Sequence, residues 1–170
     1  SFLVTNASLV RESRRYFNKK GEIIMTKILF LCHGNICRSP MAEYVMKHLA
    51  LGRADIYIES KAVSSEEIGN SIYPKAAATL KKYGIPFGNH RARRIERQDY
   101  NNFDYIIVME QYNLPRLFNI IGDDVDNKVY RLLDFTETAG DIEDPWYTGN
   151  FDKVFEQITK GCKGLIQKIG

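Results

Sequence analysis

The sequence of 170 residues predicts an α/β protein, with a doubly wound four-stranded parallel sheet and helices on both faces. Three observations carry that expectation. Short apolar runs alternate with segments of helical period, the pattern of repeated strand-helix-strand units. The first run, Ile28-Leu29-Phe30-Leu31, is apolar at every position, as a strand buried on both faces requires. A turn containing Gly34 then leads into a proline-marked helix start, and loops at the carboxyl ends of such strands are where these sheets bind ligands.

Residues 1–24 are polar and basic, show no sustained period and run into Met25-Thr26-Lys27, which looks like a natural chain start. They are read as an appended or flexible leader, and residues 25–170 as a single domain; a basic arm for an acidic partner is the alternative. After the first strand, Ser39-Pro40 signals a helix start, with Pro40 at the first helical position. Met41, Tyr44, Val45, His48 and Leu49 recur at helical spacing until Gly52, which puts His48 in the core. A second strand is expected over 56–60 and a second helix over 74–83, stopped by Gly84 and Pro86. A third strand is expected over 105–109, a helix over 112–120 and a fourth strand near 129–133. The last helix is the best marked: Phe151, Val154, Phe155, Ile158, Cys162, Leu165, Ile166 and Ile169 form one apolar stripe, with Cys162 a small buried member.

Composition narrows the function classes. There are 24 Lys and Arg against 21 Asp and Glu; five and two of these lie in residues 1–24, leaving 19 of each sign in the body. The basic excess therefore belongs to the leader. Arg91, Arg93, Arg94 and Arg97 form a local basic stretch, but without interleaved aromatics it reads as a solvated, ion-paired segment and not a nucleic-acid surface. Three cysteines do not make a disulfide scaffold, no secretory signal pattern is visible, and no apolar run reaches membrane-span length. A cytoplasmic protein without membrane or nucleic-acid partners is the expectation. Cys32, Cys37 and three scattered histidines offer no tetrahedral metal set, and no cofactor is expected.

The chemistry concentrates in the loop Cys32-His33-Gly34-Asn35-Ile36-Cys37-Arg38-Ser39. Backbone N–H groups at a helix N-terminus, with about half a positive charge there, attract an anion, and the glycine lets successive N–H groups turn inward. Arg38 adds a fork of donors matched to two phosphate oxygens. The same surroundings favour a thiolate at Cys32, which places a nucleophile beneath the phosphorus.

Cys-x5-Arg-Ser-Pro after a first strand resembles the low-molecular-weight protein tyrosine phosphatases, and the similarity spans 27–169. The resemblance implies a flavodoxin-like or Rossmann-like three-layer fold and metal-independent hydrolysis of phosphotyrosine and aryl phosphate monoesters through a cysteinyl-phosphate. It implies Cys32 as nucleophile, Arg38 as phosphate clamp and Ser39 as the hydroxyl stabilising the thiolate, with His33, Gly34, Asn35, Ile36 and Cys37 completing the phosphate-binding loop. Asn35 suits a left-handed backbone position, and the family links this Asn to a Ser and a His, here Ser60 and His90. The resemblance also implies a reversible Cys32–Cys37 disulfide under peroxide; the alternative for Cys37 is loop packing. The expected partner is a phosphotyrosine-containing protein or peptide, acted on by a monomer or weak dimer.

A tyrosine oxygen leaves poorly unless protonated, so an acid outside the loop is needed. Asp144-Pro145 supplies it: Pro145 keeps Asp144 extended, the pair lies before the last helix, and it matches the family's general acid, which later serves as base. Trp146 and Tyr147 follow where the family places aromatic pocket walls, although Trp146 also fits a core anchor. Ile36 suits an aryl ring, and Glu66 stands where many relatives have an aromatic residue, so that Glu66 and Glu67 put two carboxylates near the mouth and are expected to make the pocket shallower and disfavour strongly acidic peptides. His33 is expected at the loop rim. Arsenate reductase uses a similar loop but needs a cysteine relay, and residues 70–110 contain no cysteine. Phosphoarginine phosphatases carry Thr at the Ile36 position, and a non-catalytic phosphate-binding module would have no need of Asp144.

Overall fold

The computed structural model describes residues 17–170. Arg11, Arg14 and Arg15 of the expected leader therefore lie outside the described residues, while 17–24 form a turn in which Phe17 and Ile23 make one antiparallel bridge.

The strands are β1 (Thr26–Cys32), β2 (Ile56–Ala62), β3 (Tyr105–Val108) and β4 (Val129–Arg131). They form one parallel sheet in the order β2-β1-β3-β4, with Cys32 opposite Ala62 and Ile28 opposite Tyr105. The continuous apolar character of β1 has the expected cause. Ile28, Phe30 and Cys32 face one buried cluster and Leu29 and Leu31 the other, so neither face meets water.

The helices are α1 (Arg38–Leu49), α2 (Pro74–Lys82), α3 (Asp99–Asn102), α4 (Leu114–Ile121), α5 (Pro145–Thr148) and α6 (Phe151–Ile169). One core joins α1, α2 and α6 to the sheet through Met41, Val45, Leu80, Val154, Ile158 and Leu165; α4 covers the opposite face with Leu117 and Ile121. The expected three-layer arrangement is present. Because β1 leads outward to β2 while β3 lies on its other side, the loops after β1 and β3 diverge at their carboxyl ends and leave a crevice between them.

Several boundaries shift for local reasons. The strand expected near 129–133 ends at Arg131, where Leu132–Phe135 turn into a 3-10 helix that buries Leu132 and Leu133. The helix expected from 112 begins as a 3-10 turn over Gln111–Asn113 and becomes α-helical at Leu114, followed by Pro115. His48, placed in the core by spacing, is exposed beside Lys47 at the end of α1. Cys162 is fully buried as expected. Gly161 and Gly164 let α6 cross the Leu132–Phe135 turn: a Cβ on Gly164 would lie 2.0 Å from the Phe135 carbonyl oxygen.

Candidate active site

The loop after β1 curls around Cys32 Sγ. The Asn35 and Ser39 N–H groups point at the sulfur from 3.3 and 3.4 Å, and the Ser39 hydroxyl lies 3.0 Å away. Ser39 does not cap α1 as its position before Pro40 suggested; the helix begins at Arg38 and its N-cap, Cys37, makes no side-chain capping bond. The serine hydroxyl is instead drawn into the loop.

Asn35 supports that loop from behind. Its φ is +60°, which asparagine tolerates better than most side chains. Its Nδ2 donates to Ser39 Oγ at 2.8 Å and Ser60 Oγ at 3.0 Å, and its Oδ1 accepts from the Arg93 N–H at 3.1 Å. His90 Nε2 lies 2.7 Å from the Asn35 carbonyl oxygen; since that oxygen only accepts, the imidazole donates from Nε2. Burial pushes the His90 pKa down against the opposing pull of this carbonyl, which favours the neutral ring that the bond uses. Gly34 does not take a positive φ; its small size matters because Glu67 Cγ would lie 3.1 Å from an added Cβ.

Arg38 is 1% exposed and firmly held. Its guanidinium donates to the Ile142 carbonyl at 2.9 Å, meets Glu110 Oε1 at 3.3 Å and Oε2 at 3.2 Å, and reaches Asp144 Oδ2 at 3.3 Å. Burial opposes its charge, but Cys32, Asp144 and Glu110 outweigh burial and raise its pKa. Burial, reinforced by Cys32 and Asp144, pushes the Cys37 thiol up, so Cys37 is held as a thiol beside Cys32, and the two cysteines are not bonded to each other.

Asp144 stands on the far wall as the N-cap of α5, its Oδ1 accepting from the Trp146 N–H at 3.1 Å. Its extended backbone, φ −80° and ψ 110°, is what Pro145 demands. An open cleft of about 100 Å³ is lined by Cys32, His33, Gly34, Ile36, Cys37 and Arg38 on its floor, with Glu66 and Glu67 on one side and Asp144, Trp146 and Tyr147 on the other. Asn35 and Ser39 are absent from the lining because their side chains lie behind the loop. His33 sits at the rim with Nε2 3.0 Å from Glu66 Oε2. Trp146 is 53% exposed, so the core-anchor alternative does not hold. Among the described residues, no group of three or more His, Cys, Asp or Glu side chains is disposed to hold a metal ion.

A sequence profile of the family described as low molecular weight phosphotyrosine protein phosphatase matches residues 27–170. The chain belongs to that family. The low molecular weight protein-tyrosine-phosphatase YfkJ of Bacillus subtilis is 38% identical over 150 residues, covering 85% of this chain and 96% of that protein. Its crystal structure superposes with a TM-score of 0.81, covering 85% and 94% of the two chains. The phosphatase SP-PTP of Streptococcus pyogenes gives a TM-score of 0.77 at 39% identity, covering 85% and 93%. A Drosophila arginine phosphatase gives 0.74 at 32% identity, covering 84% and 97%.

Sequence reasoning missed several residues that build this phosphatase-family site. Glu110 orients Arg38, and the available signal was its place directly after an apolar strand at the diverging edge of the sheet. Ser64 clamps the loop through its N–H and hydroxyl, both on the His33 carbonyl at 3.1 and 2.8 Å. Glu43 accepts from Ser60 at 2.6 Å and from Lys47 at 2.6 Å, extending the Asn35 network to the protein surface. Nothing in the local sequence distinguishes it from any other helical glutamate.

Proposed function

We propose that this chain hydrolyses phosphotyrosine and related aryl phosphate monoesters through a cysteinyl-phosphate, with Cys32 as nucleophile, Arg38 as clamp and Asp144 as acid and base. The observation that carries this reading is the convergence of Arg38 and Asp144, 3.3 Å apart, over a loop whose Asn35 and Ser39 N–H groups and Ser39 hydroxyl meet Cys32 Sγ. Membership of the phosphatase family supports the reaction class.

In the first step the Cys32 thiolate forms an S–P bond as the P–O bond to the ring breaks, and the Asp144 carboxyl gives its proton to the departing oxygen. In the second, the Asp144 carboxylate takes a proton from water while the water oxygen bonds to phosphorus and the S–P bond breaks, releasing phosphate and restoring the thiolate. Charge on the equatorial oxygens is held by Arg38 and the loop N–H groups, which are in place before reaction and need little reorganisation. Asp144 shares Arg38 with Glu110, so a phosphate occupying the guanidinium fork competes with Asp144 for it and leaves that carboxyl to the leaving group.

Wild type, Cys32→Ser and Asp144→Ala assayed on an aryl phosphate test the mechanism. We expect no measurable turnover for Cys32→Ser. For Asp144→Ala, general acid-base catalysis sets the scale of the loss, roughly a hundredfold or more in kcat, with slow formation of the covalent intermediate. Full activity in Cys32→Ser would remove the mechanism. Phosphoarginine is the second substrate to assay, because an arginine phosphatase shares this fold at 32% identity. Ile36 on the cleft floor favours the aryl ester.

A further inference from the structure

The aromatic wall of the cleft stands on a side chain outside it. Trp146 is half exposed on a four-residue helix, an arrangement that by itself would leave the indole free to rotate. The Tyr73 ring packs against it with centroids 4.9 Å apart, tilted by 52°, and also stacks on Phe151 at 6.0 Å and 29°. Phe151 is buried in the main core, so the three rings run from the core to the mouth of the cleft. The Tyr73 backbone is fixed as well. Pro74 restricts it to its extended conformation, φ −56° and ψ 133°, its N–H donates to the Ile36 carbonyl at 2.9 Å, and its carbonyl accepts from Ala77 at 3.0 Å. One residue thus ties the floor of the cleft, through Ile36, to its aromatic wall, through Trp146. Among the described residues no hydrogen bond to the Tyr73 hydroxyl accompanies these contacts, which leaves the ring as the working part.

We propose that Tyr73 is a positioning residue that fixes Trp146 against the substrate's ring and thereby makes the site select aryl over alkyl phosphate monoesters, an inference that rests on the phosphatase reading above. Without the Tyr73 ring the indole loses its packed face, and stacking on a substrate ring must first pay for ordering it. Phosphate binding on the floor uses the Cys32–Arg38 loop and is not reached by this effect.

Trp146 is the single tryptophan of the chain, so its fluorescence reports the wall directly. The test compares wild type, Tyr73→Phe and Tyr73→Leu by tryptophan emission, by emission change on titration with phenylphosphonate and with inorganic phosphate, and by kcat/KM for phenyl phosphate and glycerol phosphate. In Tyr73→Leu the phenyl-to-glycerol ratio should fall about three- to tenfold, the range expected for losing one aromatic pairing, mainly through KM for the aryl ester. Its emission should change, its phenylphosphonate response should weaken, and its affinity for inorganic phosphate should stay within twofold. Tyr73→Phe should retain the ratio and the emission. A Tyr73→Leu protein with wild-type emission and an unchanged ratio would overturn the proposal, as would equal loss for both esters. If wild type turned over neither ester, the phosphatase reading would fall, while the phosphonate titrations would still report whether Tyr73 orders the wall.

Discussion

Asn35 bonds to two serines and one backbone N–H through its side chain and receives His90 on its carbonyl, so one left-handed residue ties its own loop to two other segments, β2 at Ser60 and the 90–93 stretch. Removing its side chain would leave buried polar partners unpaired, at a cost of about 1–3 kcal/mol each. Residues at the rim act differently. Glu66 is exposed and Glu67 accepts from Asn70 at 2.6 Å, so an acidic side chain beside a phosphotyrosine would approach two like charges. Exposed pairs are each worth about 0.2–1 kcal/mol, which sets the scale of discrimination at a few-fold. The neutral-to-acidic ratio of kcat/KM on matched phosphopeptides should therefore drop toward one in Glu66→Ala and Glu67→Ala, and more so together. An unchanged ratio in the double variant would show that the rim does not read peptide charge.

At the scale of elements, the crossing of α6 over the Leu132–Phe135 turn depends on two glycines. Gly164→Ala would place a methyl inside the Phe135 carbonyl, and the chain must move to relieve it. Overpacking costs about 1–3 kcal/mol and occasionally more, against a gain of about 1 kcal/mol from replacing glycine within a helix. A Cβ only 2.0 Å from a backbone oxygen puts the cost at the upper end, about 3 kcal/mol, so we expect net destabilisation of about 2 kcal/mol, seen as a fall in Tm of about 4–8 °C by calorimetry; an unchanged or raised Tm would mean that the crossing yields freely. The apolar stripe that forecasts α6 does not reveal this contact, because it lies between segments some thirty residues apart. The same limit explains what else was readable. β1, the Cys32–Ser39 loop and Asp144-Pro145 are local patterns, and the fold class follows from the alternation of apolar runs with helical periods. His48 shares the apolar spacing of α1 yet faces solvent, because the stripe narrows toward the end of the helix. Glu43, Ser64, Tyr73 and Glu110 find their partners only when segments distant in sequence meet.

For the whole molecule, the charge distribution separates a balanced body from a basic leader. Within the described part of the leader, Asn18 takes the Lys20 and Glu22 N–H groups at 2.9 and 3.0 Å, and its side chain bonds to Glu22, which makes a self-contained turn. None of these described residues lines the cleft. Removing residues 1–24 should leave kcat/KM for an aryl phosphate within about twofold of the full chain, as the catalytic loop's local field comes from Arg38 and a helix terminus; a collapse in turnover would assign the leader a part in the site. The described residues contain no helix long and apolar enough to cross a membrane.

The four residues of α5 join two features that could have been kept apart. Asp144 caps the turn that presents Trp146, and the Trp146 N–H in return fixes the carboxyl, so the indole on the cleft wall and the carboxyl facing Arg38 share one small scaffold. A ligand that settles the indole also steadies the acid. Under the mechanism proposed above, an ester without a ring would forfeit that contact, and the difference would be felt mainly in the strength of capture.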